Sequence, residues 1–219
     1  MKNVRRRAPP SPDPAPAGQG ERSDPNGAPM AVEFTPGGQN AVMPEPSPWP
    51  IAAPLEGPRL RLEPLRVAHA DEAMAFLDDA RLHTYIGGTP PDRDELARRY
   101  RRQSVGHSPD HAQGWLNWML RRRADGVLVG TVQATLSRPG GSPPLDAELA
   151  WVVGHAFQGD GYAKEGAAVM ADWLRAQGVR TLTAHVHPDH RASAAVAAAL
   201  GMRRTGEPHD GEERWTTPA

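Results

Sequence analysis

Residues 158–163 read Gln-Gly-Asp-Gly-Tyr-Ala and stand between an apolar run and a helical pattern. The run before them, Leu149-Ala150-Trp151-Val152-Val153, predicts a buried strand. The pattern over residues 164–177 places Ala163, Ala167, Met170 and Leu174 on one helix face, with Val169 and Trp173 beside them. A strand, a small-residue loop and a helix start together make an anion site. Glycines let the backbone approach, and the free N–H groups of the first helical turn favour a phosphate or pyrophosphate. An ordinary turn before a helix has the same six-residue spelling, so the rest of the chain has to decide.

The remainder divides into two textures. Residues 1–57 hold more than half of the 24 prolines, with Gly, Ser and Ala between them and no lasting periodicity. Such a segment cannot bury enough apolar surface to offset its ordering entropy, which predicts a disordered tail. Arg5-Arg6-Arg7 reads as a solvated terminal run, and Met30 and Met43 are alternative starts. From residue 58 the pattern becomes regular, and residues 58–219 are expected to fold as one domain.

Within that domain, residues 60–65 alternate as a strand, and residues 68–80 and 92–103 carry helical spacing. Strands are expected over 114–121, 127–136 and 147–153, the first two joined at the turn signal Ala124-Asp125-Gly126. After the 158–163 loop and its helix, Gly178 reads as a left-handed cap. A strand over 181–187, an alanine-rich helix over 191–200 and short terminal strands complete the chain. There is no internal repeat. This mixed order predicts an α/β (α+β) fold, with helices flanking a mostly antiparallel mixed sheet.

With the order in place, the chain resembles the GNAT superfamily of acetyl-CoA-dependent N-acetyltransferases, from about Pro58 to the C-terminus. The superfamily's acyl-CoA loop, Arg/Gln-x-x-Gly-x-Gly/Ala, is met by Gln158 to Ala163 without a gap. Three further stretches resemble the branch containing the bacterial ribosomal-protein N-terminal acetyltransferases. They are Tyr85-Ile86-Gly87-Gly88 before Pro90-Pro91, Gly161-Tyr162-Ala163-Lys164-Glu165, and His187-Pro188-Asp189-His190-Arg191-Ala192-Ser193 ending in Leu200-Gly201-Met202. The resemblance implies a GNAT fold and acetyl transfer from acetyl-CoA to a primary amine, a protein N-terminus or a small molecule, by direct attack in a ternary complex. It implies that backbone groups of Gln158, Gly159, Asp160, Gly161, Tyr162 and Ala163 hold the pyrophosphate. It also implies that Val152 and Val153 give main-chain bonds to pantetheine, in the manner of an added strand.

Two positions set this chain apart. His190 stands where the family usually has an Asn that steadies the pantetheine arm or its surroundings; an imidazole can also donate or accept. The Tyr that many superfamily members use as general acid would fall at Ala197, and Tyr85, Tyr100 and Tyr162 are poorly placed substitutes.

Amide formation from a thioester needs a held cofactor, a deprotonated amine, donors to the developing oxyanion and a tolerated thiolate. Glu148 is the candidate base, directly or through water, on the strand leading to the loop; partial burial would raise its pKa. A cross-strand or exposed Glu is the alternative, and Asp146, nearer a Gly- and Pro-rich loop, is the weaker rival. Ser193, on the first turn of the last helix, is the candidate donor to the leaving thiolate, with helix capping as its competing use. Glu165 reads as a first-turn carboxylate favoured by the helix dipole. Trp115, Trp118 and Trp151 either line the acceptor side or fill the core. The acceptor region is expected over residues 82–108 and 115–120.

Other functions receive less support. His185-x-His187-x-Asp189-His190 has the spacing of a metallo-β-lactamase-type zinc hydrolase, but only His209 and Asp210 follow as further ligands. An inactive acyl-CoA sensor or interaction module is the other alternative. The net charge of −1 gives no reason to expect a nucleic-acid partner, and the absence of cysteine excludes disulfides and thiolate chemistry. No apolar run is long enough to span a bilayer, and the polar stretch after Met1 to Arg7 is unlike a signal peptide. The expected partners are therefore acetyl-CoA and an amine acceptor, for a cytoplasmic monomer or homodimer.

Overall fold

Asp125-Gly126 closes the first long hairpin. The Asp125 carboxylate accepts from the Val127 N–H at 3.2 Å and from the Arg122 guanidinium at 2.6 Å, fixing the turn between β3 (Gly114–Arg122) and β4 (Leu128–Ser137). The computed structural model describes residues 48–218 apart from Gly87, Ser142 and Pro143. Around this hairpin lie β1 (Leu55–Glu56), β2 (Leu60–Pro64), β5 (Leu145–Val153), β6 (Val179–Val186), β7 (Arg203–His209) and β8 (Glu212–Thr216). The sheet order is β1-β2-β3-β4-β5-β6-β8-β7, and only β5 and β6 pair in parallel. That is the expected mostly antiparallel mixed sheet.

Its two faces are covered by different helices. Leu116, Trp118, Leu120, Ala147 and Leu149 face α4 (Tyr162–Ala176) and α5 (Arg191–Ala199). Met119 and Leu128 join α1 (His69–Leu77) and α3 (Arg93–Gln103) in the second apolar cluster. α4 lies very near the sheet. A Cβ on Gly166 would stand 2.8 Å from Leu120 Cδ2, so a larger residue at this crossing has to displace the Leu120 side chain. Asp92 opens α3 with a capping box, its carboxylate accepting from the Glu95 N–H while Glu95 reaches back to the Asp92 N–H. Among the described residues, no helix is long and apolar enough to cross a membrane.

Periodicity missed three pieces. α2 (His83–Ile86) is too short to show a repeat, and β1 is a two-residue edge strand. The third piece is the segment leading into β1. Of the expected tail, residues 1–47 lie outside the described residues, whereas residues 48–57 belong to the domain. The Trp49 ring covers Gly114 and donates its Nε1–H to the His111 carbonyl at 3.1 Å. Buried Trp118 donates its Nε1–H to the Ala53 carbonyl at 2.7 Å. Prolines at 48, 50 and 54 erase any alternation, so these anchors left no periodic signal.

Candidate functional site

β5 and β6 pair only from Leu145↔Val179 to Glu148↔Thr183. Beyond that point β5 follows β4 as far as Val153, while β6 follows β8 as far as Val186. The sheet therefore splits into a fork, and a cleft of about 870 Å³ opens in it. Ladder alternation decides which backbone groups face this cleft. The Gly154 N–H donates to Val129 O at 2.9 Å, so Val152 directs both main-chain groups into the β4 ladder. Trp151 and Val153 direct theirs into the fork. The two valines are thus separated: Val153 offers a main-chain N–H to the cleft and Val152 does not.

Gln158 earns its place by a side-chain bond. Its Nε2 donates to Val153 O at 3.1 Å and ties the loop to the end of β5. Gly161 is the N-cap of α4 with φ +81°, a region that L side chains rarely adopt, and no side chain caps this helix. The N–H groups of Tyr162, Ala163 and Lys164 therefore begin the helix without intrahelical partners, and the first bonded amide is Glu165 N to Gly161 O. Gly159, Gly161, Tyr162, Ala163 and Lys164 all line the cleft; Asp160 is held on the outside, its carbonyl accepting from Arg59 Nη1 at 2.9 Å. A helix N-terminus with open donors and a backbone free to bend around them suits a phosphate group.

Two residues shape this loop from a distance. Glu165 accepts from the Arg59 N–H at 2.7 Å, the Leu60 N–H at 3.0 Å and Arg59 Nε at 2.7 Å. It is a fastening between α4 and β2, which goes beyond the helix-dipole role expected of it. The Arg59 guanidinium also lies over the Tyr162 ring, 4.9 Å from its centroid. Arg59 gave no local signal in the sequence because its partner is 106 residues away.

On the opposite wall, α5 presents Ser193. Trp151 Nε1–H donates to Ser193 Oγ at 3.2 Å, across the fork. The cap of α5 is His190, whose Nδ1 accepts from the Ser193 N–H at 3.0 Å. Capping was the competing use foreseen for Ser193; the imidazole takes that task and leaves the hydroxyl to Trp151. An accepting Nδ1 requires an imidazole with its proton on Nε2. Burial pushes the His190 pKa down, and the neighbouring His187 charge adds to this. His190 thus lines the cleft wall while holding the start of α5.

Glu148 is the last β5 residue paired with β6, and its side chain lines the cleft. It is exposed, not partly buried as expected. Asp146 sits two residues back, opposite Ser137 and Thr181 and outside the cleft lining. Tyr162 is buried and Tyr100 is 4% exposed, with burial pushing the Tyr100 phenol up to about 12. Ala197 is fully buried. Of the two tyrosines, Tyr162 lines the cleft and Tyr100 does not.

His185, His187 and His190 all border the cleft, yet among the described residues no three His, Asp or Glu side chains converge as metal ligands would. His187 Nδ1 accepts from the Asp189 N–H at 3.1 Å, and His190 Nδ1 is used in capping. His187 and His190 thus serve turn and helix-start geometry. Of the tryptophans, Trp118 fills the core, Trp151 lines the cleft and Trp115 lines a second cavity. Within the expected acceptor region, Leu82 reaches the cleft.

A family model described as Acetyltransferase (GNAT) domain matches residues 59–203. No curated protein matches the chain significantly. Among solved structures, an acetyltransferase from Agrobacterium tumefaciens is 26% identical, covers 76% of this chain and 95% of its own, and superposes with a TM-score of 0.56. A GNAT-family acetyltransferase from Bacillus anthracis is 17% identical over 75% of this chain and 96% of its own, with a TM-score of 0.58. RimL, a ribosomal alpha-N-protein acetyltransferase, is 16% identical over 75% and 93%, with a TM-score of 0.59. At such identities the last two carry the fold alone.

Proposed function

The chain belongs to the acetyltransferase (GNAT) family, and on that premise we propose that it moves an acetyl group from acetyl-CoA to a primary amine within a ternary complex. The observation that carries this reading is the fork. β5 abandons β6 after Glu148, and the freed backbone of Trp151 and Val153 lies beside the uncapped start of α4. These features fit acetyl-CoA: an extended amide-bearing arm along a free strand edge, and a pyrophosphate on a helix N-terminus.

When bound, acetyl-CoA supplies an activated thioester carbonyl. The N–H groups of Tyr162, Ala163 and Lys164 hold its pyrophosphate, and Gln158 keeps the loop closed on Val153. The fork-facing main chain of Trp151 and Val153 aligns its arm. Glu148, at the crotch of the fork, takes a proton from the acceptor amine, directly or through water. Ser193 receives the indole N–H of Trp151 on its oxygen, which leaves its own proton to be donated to the departing sulfur. His190 holds the Ser193 amide and so sets the hydroxyl's position.

A thiol-release assay with acetyl-CoA and a panel of peptides, polyamines and aminoglycosides tests this reading. Turnover of at least one amine is expected, with loss of turnover and retained acetyl-CoA binding in Glu148→Gln. Absence of both binding and turnover in the parent overturns it.

A further inference from the structure

Arg59 stands just before β2 and outside the cleft lining, yet its guanidinium spreads over the back of the loop that lines the cleft. Its Nε donates to Glu165 Oε2 at 2.7 Å, and its Nη1 donates to the Asp160 carbonyl at 2.9 Å. Nη2 lies 3.6 Å from the place a Cβ on Gly161 would take, and the group covers the Tyr162 ring. A guanidinium presents its N–H groups in one rigid plane. Fixing Nε on a carboxylate therefore fixes where Nη1 points.

The carboxylate is itself held. Glu165 Oε1 accepts from the main-chain N–H groups of Arg59 and Leu60, and it lies 3.0 Å from where a Cβ on Gly57 would stand, an approach that a side chain there would crowd. The Glu165 side chain is only 10% exposed. A second guanidinium, that of Arg122, lies 6.0 Å from the Tyr162 centroid and is anchored on Asp125 in the β3–β4 turn. The back of the loop is thus tied to β2 and β3, while Gly159, Gly161 and Ala163 line the cleft.

A trans peptide carries its C=O and N–H on opposite sides. With the Asp160 carbonyl turned to Arg59, the N–H of the same peptide, which belongs to Gly161, is turned away from Arg59. Among the described residues that N–H has no hydrogen-bond partner, and Gly161 lines the cleft whereas Asp160 does not. We propose that Arg59 is a positioning residue for the pyrophosphate: by holding the Asp160 carbonyl outward, it aims the Gly161 N–H at the phosphate, beside the open amides of α4. The inference rests on the acetyl-transfer reading and deepens its account of how the cofactor is held. Glycine at 161 tolerates either orientation of this peptide. Without Arg59 the peptide is free to turn over and set its carbonyl oxygen against the phosphate, where like charges repel.

The test is calorimetric binding of two acetyl donors. Acetyl-CoA carries the pyrophosphate, and S-acetylpantetheine carries the same thioester and arm with no phosphate. In Arg59→Ala the Kd for acetyl-CoA should rise about tenfold, the worth of a hydrogen bond to a charged group, while that for S-acetylpantetheine should stay within about twofold. Arg59→Lys guards against loss of the fold. It keeps a cation for Glu165, but its ammonium ends one bond short of Nη1, so acetyl-CoA affinity should still fall. Melting temperature, followed alongside, separates a re-aimed loop from an unfolded chain. An unchanged acetyl-CoA Kd in both variants, or equal losses with the two donors, would overturn the positioning role while leaving acetyl transfer standing. Failure of the parent to bind acetyl-CoA would remove the cofactor reading and this inference together.

Discussion

The indole N–H of Trp151 donates to the hydroxyl of Ser193 at 3.2 Å, joining the two arms of the fork. One partner is on β5 and the other on the first turn of α5. A hydroxyl that accepts one bond in a fixed direction has its proton free to point elsewhere, which is what a leaving thiolate requires. Ser193→Ala should lower kcat by roughly ten- to a hundredfold, toward the low end of acid catalysis, with acetyl-CoA affinity retained. Trp151→Phe keeps a ring in place and removes only the N–H, so it should give a smaller loss in kcat. Unchanged kcat in Ser193→Ala, measured by thiol release, would take the hydroxyl out of the reaction.

Gly161 tests the loop. Its φ of +81° strains any residue with a Cβ, by about 1–2 kcal/mol, although Arg59 Nη2 at 3.6 Å would leave room for the carbon itself. Gly161→Val should therefore fold, with a re-aimed first turn of α4. Acetyl-CoA binding, followed by calorimetry, should weaken at least tenfold. An unchanged dissociation constant would detach the loop from cofactor binding.

The domain's N-terminal limit is a third test. A chain beginning at Pro54 lacks Trp49 and the Ala53 carbonyl that accepts from buried Trp118. Leaving that indole N–H unpaired costs about 1–3 kcal/mol, so the melting temperature should fall by roughly 2–12 °C, at about 2–4 °C per kcal/mol for a domain of this size. A chain beginning at Pro48 keeps both contacts and should melt with the parent. Equal melting of the two shortened chains would show that the segment contributes nothing.

His190 contributes to the loss of stability in acid. Its pKa is depressed by burial, so the folded state prefers the neutral ring that accepts from Ser193. That contribution is complete above the ordinary histidine value near 6.5 and is lost as pH falls through the lower folded value. His69, buried beside Arg66 and Glu63, is depressed in the same direction and acts in parallel. His190→Asn retains an acceptor for the cap without a titrating ring. Between pH 7 and 5 it should lose less stability than the parent. Superimposable pH–stability curves would exclude the mechanism.

What could be read in the chain was local. Gln158 to Ala163, the α4 face and the Asp125-Gly126 turn each declare themselves within a few residues, because loop chemistry and helical spacing are short-range. The fork was not legible, since β5 and β6 part company at a register that depends on both strands. For the same reason Val152 and Val153 looked equivalent; only the β4 ladder decides which of them faces the cleft. Arg59 and Glu165 looked unremarkable for want of any sign that they meet. Trp49 was lost among prolines. Glu148 could be named as a candidate because strand and loop are adjacent in sequence, but its exposure is set by the tertiary packing around that face.

Glu148 also bears the decisive kinetic test. It stands at the crotch of the fork, paired through its backbone with Thr135 and Thr183, with its carboxylate exposed to the cleft. Glu148→Gln is isosteric and exposed, so it should leave the fold and acetyl-CoA affinity as they are. An amide cannot take a proton at neutral pH. Removing a general base typically costs about a hundred- to ten-thousandfold in rate, and kcat should fall within that range. The acidic limb of the pH–rate profile should disappear with the carboxylate, whereas a residue that only positions the amine would leave the limb in place. Asp146→Asn, outside the cleft, is the comparison and should retain turnover. Full activity in Glu148→Gln would remove the residue from the chemistry, and loss of turnover with the acidic limb intact would make it a positioning residue.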